Sequence, residues 1–91
     1  MTSIKMYYFT PISDITGKRE ELIVLTDNTN LKDLINVLIK QYGNAIRKYF
    51  YNSEKYEPKC LVLINQLYTT DTDKSLKDGD TVSLVPPLGG G

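Results

Sequence analysis

Apolar and polar positions alternate from the first residues of the chain. Ile4, Met6 and Tyr8 fall on one side of an extended backbone, and Lys5, Tyr7 and Phe9 on the other. A two-residue period of this kind predicts a β-strand. Pro11 interrupts ladder hydrogen bonding, and Asp14-Ile15-Thr16-Gly17 has the composition of a turn. Strand character returns from Lys18 to Leu25, predicting a partner antiparallel to the first strand across an irregular link. The period then changes. Leu31, Leu34, Ile35, Leu38, Ile39 and Tyr42 recur at steps of three and four, which predicts an amphipathic helix. Asn30 is placed to cap it, Asp33 lies in its first turn, and Gly43 can end it at positive φ.

Beyond Gly43 the pattern predicts a short second helix over 44–51, with Ile46, Tyr49 and Phe50 directed inward, and then a loop over 52–59. Leu61-Val62-Leu63-Ile64 reads as a short strand in the interior of a sheet. Asn65-Gln66 turns the chain into a brief Leu67-Tyr68 segment, and a polar loop follows to Ser75. Lys77-Asp78-Gly79-Asp80 is a turn, with Gly79 at a left-handed position, before a last strand over 81–85. This order gives an α+β domain in two layers, one main helix lying across one face of a mixed sheet. The expected buried set is Leu34, Leu38, Tyr42, Leu63, Val82 and Leu84. Tyr7 and Phe9 then become an aromatic patch on the uncovered face, suited to binding a partner. The strand order is left open by the pattern.

Composition narrows the chemistry. Ninety-one residues, 41% hydrophobic and 24% charged, make one small globular domain. Eleven basic against eleven acidic residues give zero net charge, so neither nucleic acid nor membrane binding is expected. There is no histidine, which excludes Ser-His-Asp and Cys-His catalysis and histidine-ligated zinc. Cys60 is the only cysteine, so no internal disulfide can form, and it reads as a structural thiol. The seven aspartates have neither calcium-loop spacing nor an acid–base pairing, and Asp78 and Asp80 read as turn residues flanking Gly79. Lys18 follows Gly17 without the glycine-rich loop of an ATP site. Neither a metal nor a bound cofactor is therefore expected. The longest apolar run is far too short to span a membrane, and the sequence opens without a basic-then-apolar leader. A cytoplasmic location fits this.

What remains unexplained is the ending. Three consecutive glycines, Gly89, Gly90 and Gly91, add nothing to a core and each carries a high entropic cost of ordering. One reading is a frayed terminus. The other is a narrow peptide, 87–91, leaving a domain of residues 1–86 to thread into another protein and present its terminal carboxylate. Pro86 and Pro87 would stiffen its departure from the sheet. Activating that carboxylate requires ATP held by a partner.

The chain resembles the small subunits of molybdopterin synthase, within the ubiquitin-like sulfur-carrier group that also holds thiamine sulfur carriers and ubiquitin-related modifiers. The resemblance spans nearly the whole chain. It rests on Ile4-Lys5-Met6-Tyr7-Tyr8-Phe9, Ile15-Thr16-Gly17-Lys18, Thr29-Asn30-Leu31-Lys32-Asp33-Leu34, Leu63-Ile64-Asn65 and Leu76-Lys77-Asp78-Gly79-Asp80-Thr81-Val82. Most specific is Pro86-Pro87-Leu88-Gly89-Gly90. The resemblance implies a β-grasp fold and a sulfur carrier that is not catalytic alone. An E1-like adenylating enzyme would activate the terminal glycine with ATP, sulfur transfer would yield a thiocarboxylate, and the large synthase subunit would receive the tail. It implies tail threading by Pro86, Pro87, Leu88, Gly89, Gly90 and Gly91, with Tyr7, Phe9 and Leu88 meeting the partner. Sulfur would pass to a cyclic pyranopterin precursor in molybdenum cofactor synthesis. The alternative is a protein modifier joined to lysine-bearing targets, or a sulfur carrier for tRNA thiolation. The family usually ends after two glycines, so the resemblance leaves open whether the reactive terminus would be Gly91, or Gly90 with Gly91 removed by processing or appended. One extra extended residue shifts the carboxylate by roughly 3.3–3.6 Å.

Overall fold

The computed structural model describes residues 1–87; Leu88, Gly89, Gly90 and Gly91 lie outside the described residues. Thr2–Tyr8 forms β1, whose side chains alternate strictly between buried and half-buried. Glu20–Leu25 (β2) pairs antiparallel with it, Ile4 opposite Ile23 and Tyr7 opposite Glu20. Thr81–Val85 (β7) lies parallel to β1 on its other side, Met6 opposite Val82 and Tyr8 opposite Leu84. Leu61–Ile64 (β5) pairs antiparallel with β7, and Leu67–Tyr68 (β6) closes the far edge. The sheet order is thus β2-β1-β7-β5-β6, a mixed sheet with the two terminal strands of the domain side by side at its centre. Asn65 and Gln66, both at positive φ, make the β5–β6 turn.

Leu31–Tyr42 (α2) crosses one face of this sheet and buries Leu31, Leu34, Ile35 and Leu38. Its start is fixed by a reciprocal capping box: Asp33 N–H donates to Asn30 Oδ1 at 2.9 Å, and Asn30 N–H to Asp33 Oδ2 at 3.1 Å. Gly43 follows at φ 74 and donates to the Ile39 carbonyl at 2.7 Å. Against α2 lie Ile4, Met6, Val62, Val82 and Leu84, with Ile46 and Phe50 closing the end of the core. This is the β-grasp arrangement.

Five expectations need correction. Ile12–Thr16 is a short helix, α1, where turn composition predicted only a turn. Its five residues are too few to show a period, and the burial of Ile12 and Thr16 anchors it. The second helix, α3, ends at Arg47 rather than 51, with Ile46 and Phe50 buried but Tyr49 half-buried. The 52–59 loop begins in a small hairpin, Tyr51–Asn52 (β3) with Lys55–Tyr56 (β4), closed by edge-to-face Tyr51 and Tyr56 rings 5.7 Å apart. Leu63 points away from the helix and pairs with Ser83; Val62 and Ile64 face the core instead. Tyr42 is half-buried because its hydroxyl reaches a polar cluster at the rim.

Candidate functional site

The face of the sheet opposite α2 carries the candidate docking surface. Across its middle run Glu20, Tyr7, Ser83, Leu63 and Tyr68, one residue from each strand in register. A neighbouring row holds Leu22, Lys5 and Thr81, and Val85 lies opposite Leu61. Leu22 is 61% exposed and Tyr68 60%, values that set them apart from any core position. Tyr7 is half-buried, with Lys5 Nζ 5.8 Å from its ring centroid. Lys5 also pairs with Glu20 at 2.9 Å, and this hydrogen bond raises the lysine pKa. An apolar sheet face of this breadth, with one neutralised ion pair in it, has the make-up of a protein-binding surface.

Phe9 lies just past the end of β1 and is 49% exposed. Its N–H donates to the Leu84 carbonyl at 3.2 Å, so it flanks the C-terminal end of β7 as the chain runs into Pro86 and Pro87. Pro86 is exposed and Pro87 half-buried. A central strand therefore delivers Pro86 and Pro87 beside Phe9. Next to it opens a cleft of about 410 Å³ lined by Tyr7, Phe9, Thr10, Ser13, Arg19 and Glu20. The Tyr8 N–H donates to the Arg19 carbonyl at 2.8 Å and the Ser13 N–H to the Phe9 carbonyl at 3.1 Å, which fixes both walls.

Behind this end of the sheet sits a carboxylate hub that sequence reasoning missed. Glu21 Oε1 accepts from the hydroxyls of Tyr8 and Tyr42, each at 2.7 Å. Its Oε2 accepts from Lys18 Nζ and Gln41 Nε2, each at 3.0 Å. Partial burial alone would push this carboxyl up. The hydrogen bonds from Tyr42, Tyr8, Lys18 and Gln41 outweigh it and hold the pKa down to about 2. Burial and the facing Glu21 charge push Tyr8 and Tyr42 up. The four donors come from β1, α2 and the α1–β2 link, so no local pattern announces them.

The remaining candidates are structural. Asp78 Oδ1 accepts from the Ser3 N–H at 2.7 Å, and Asp80 Oδ2 from the Lys77 N–H at 2.8 Å, around Gly79 at φ 90. Burial pushes the Cys60 thiol up to about 12, which leaves it unreactive at neutral pH. Among the described residues no cluster of acidic or thiol side chains could hold a metal ion.

The ThiS family matches this chain over residues 6–91. The chain is 32% identical to a molybdopterin synthase sulfur carrier subunit of Chlamydomonas reinhardtii over 97% of its own length and 98% of the relative's. A Pyrococcus furiosus structure provisionally assigned as molybdopterin converting factor subunit 1 superposes with a TM-score of 0.82 at 28% identity, covering 97% of this chain and all of that one. Small archaeal modifier protein 1 of Haloferax volcanii shares the fold, with a TM-score of 0.83 at 16% identity over 97% of this chain and 100% of its own. The chain thus belongs to the ThiS family of β-grasp sulfur carriers and is a homologue of the molybdopterin synthase small subunit.

Proposed function

We propose that the chain is the sulfur-carrier subunit of a molybdopterin synthase and works through a thiocarboxylate on its terminal glycine. The observation that carries this reading is that a central strand, β7, delivers Pro86 and Pro87 beside an uncovered apolar sheet face, with Leu88-Gly89-Gly90-Gly91 following them in the sequence. A carboxylate is inert toward sulfur until it gains a leaving group. An adenylating partner supplies one: a terminal oxygen attacks the α-phosphorus of ATP, pyrophosphate departs, and an acyl adenylate forms. A sulfur nucleophile then attacks the carbonyl carbon and expels AMP. Glycine suits this step, because no side chain blocks the approach to the carbonyl. The large synthase subunit next receives the tail and its sulfur, with the pyranopterin substrate bound on that subunit. Tyr7, Phe9 and Leu88 supply apolar contacts to these partners, and the cytoplasm supplies the reducing setting.

The experiment is a reconstitution with ATP, the adenylating enzyme, a sulfur source and the large subunit. Deleting Gly89, Gly90 and Gly91 should abolish product while leaving the fold intact, because no core side chain is removed. Ending the chain at Gly90 shows whether Gly91 or Gly90 bears the sulfur. Undiminished product from the triple deletion sinks the reading. The glycine ending equally suits an amide bond to a lysine of a target protein. Lysine conjugates formed in place of the thiocarboxylate would favour a protein modifier, and rescue of tRNA thiolation would favour that pathway.

A further inference from the structure

We infer that the cleft beside the tail exit receives an acidic element of the large synthase subunit, with Arg19 as the residue that selects it; this rests on the carrier reading above. Three positive side chains stand on the β1–β2 end of the sheet. Lys5 is neutralised by Glu20 at 2.9 Å and Lys18 by Glu21 at 3.0 Å. Arg19, next to Lys18 in the chain, exposed and lining the cleft, makes no ion pair among the described residues. Glu20 and Glu21 are already engaged by lysines, and Asp14, which lines an adjoining groove with Arg19, makes no ion pair with it, so Arg19 is the unpaired cation at the cleft. Tyr7 and Phe9 line the same cleft with aromatic rings, and Thr10 and Ser13 add hydroxyls to it.

The location makes this charge consequential. Phe9 forms one wall of the cleft and also hydrogen-bonds the strand that delivers the tail. Any protein that draws in the C-terminus while covering the sheet face must lie across the cleft. Its complement there is an apolar side chain seated against Phe9, with a carboxylate placed over the guanidinium. Arginine suits the role, because its planar fork binds a carboxylate through two parallel hydrogen bonds. A charge at the rim of an interface governs partner choice and encounter rate, and its effect fades with salt.

The test titrates the full chain against the large subunit of the same organism at low and high ionic strength. Arg19→Glu should weaken binding about tenfold at low salt and Arg19→Ala about threefold, with both differences shrinking at high salt. Arg19→Lys keeps the charge without the fork and should bind between the parent and Arg19→Ala. Lys32→Glu, exposed on α2 and so on the face of the sheet away from the docking surface, is the charge-matched control and should bind as the parent does. One member of a panel of acid-to-lysine changes on the large subunit should restore binding to Arg19→Glu. Equal affinity of parent and Arg19→Glu, or an equal loss in Lys32→Glu, overturns the inference and leaves the carrier reading standing. If the Arg19→Glu effect vanishes once Gly89, Gly90 and Gly91 are deleted, Arg19 acts on this chain's own terminus and the inference fails. Absence of any binding by the parent chain instead sinks the carrier reading, and the inference with it.

Discussion

Replacing Glu21 by Gln isolates the charge at the hub that ties β1, β2 and the end of α2 together. The amide keeps one acceptor for the Tyr8 and Tyr42 hydroxyls, but its NH₂ then faces Lys18 Nζ and Gln41 Nε2, donors against a donor. A carboxyl held at about 2 in the folded chain, against an ordinary 4.5, contributes about 3 kcal/mol at neutral pH, since each tenfold change is worth about 1.4 kcal/mol. The side chain is only 11% exposed, so solvent screening takes little of this. The folded pKa is depressed, so the contribution is complete above pH 4.5 and is lost as pH falls toward 2. Urea unfolding followed by circular dichroism at several pH values reads it directly. Glu21→Gln should be less stable than the parent by about 2–3 kcal/mol at pH 7, and the gap should close steadily below pH 4.5. Equal stability at pH 7, or a gap that does not change with pH, refutes the reasoning.

Leu38 is fully buried beneath α2, and Leu38→Ala should cost about 2–5 kcal/mol in the same assay; an unchanged midpoint would remove it from the core. Phe9→Ser should weaken binding to the large subunit while leaving the unfolding curve close to that of the parent, because Phe9 is half exposed. A titration giving equal affinity would count against that surface. Cys60, buried and with its thiol pushed up to about 12, should resist a thiol reagent at neutral pH until the chain is unfolded in urea; rapid labelling of the folded protein would contradict its placement.

The parts of the fold legible in the sequence are those written in a local period. The alternation of β1 and the three-to-four spacing of α2 needed no tertiary information, and Asn30, Asp33 and Gly43 marked the helix ends. Leu61 to Ile64 was legible as a strand but not in phase. Four apolar residues in a row carry no alternation, and only the register with β7 sends Val62 and Ile64 inward and Leu63 out. The short helix at Ile12–Thr16 is set by its packing against β1 and α3, and the Tyr51–Tyr56 hairpin by local pairing that its polar, turn-like composition conceals. The same limit applies to the site. Tyr7 and Phe9 could be placed on the outer face from β1 alone. Their continuation through Leu22, Leu63 and Tyr68 depends on strand order, as do the Glu21 hub and the position of Arg19 beside Phe9.

The central claim is chemical and resides in the last residue, so the most direct measurement is the intact mass of the protein recovered from its native host, followed by fragmentation of its C-terminal peptide. A sulfur carrier should yield a population heavier by the exchange of one oxygen for sulfur, with that difference confined to the terminal glycine, Gly91 or Gly90. It should disappear when the adenylating partner is deleted. A terminus that is never sulfurated, or that is found only in amide linkage to lysines of other proteins, would contradict the account.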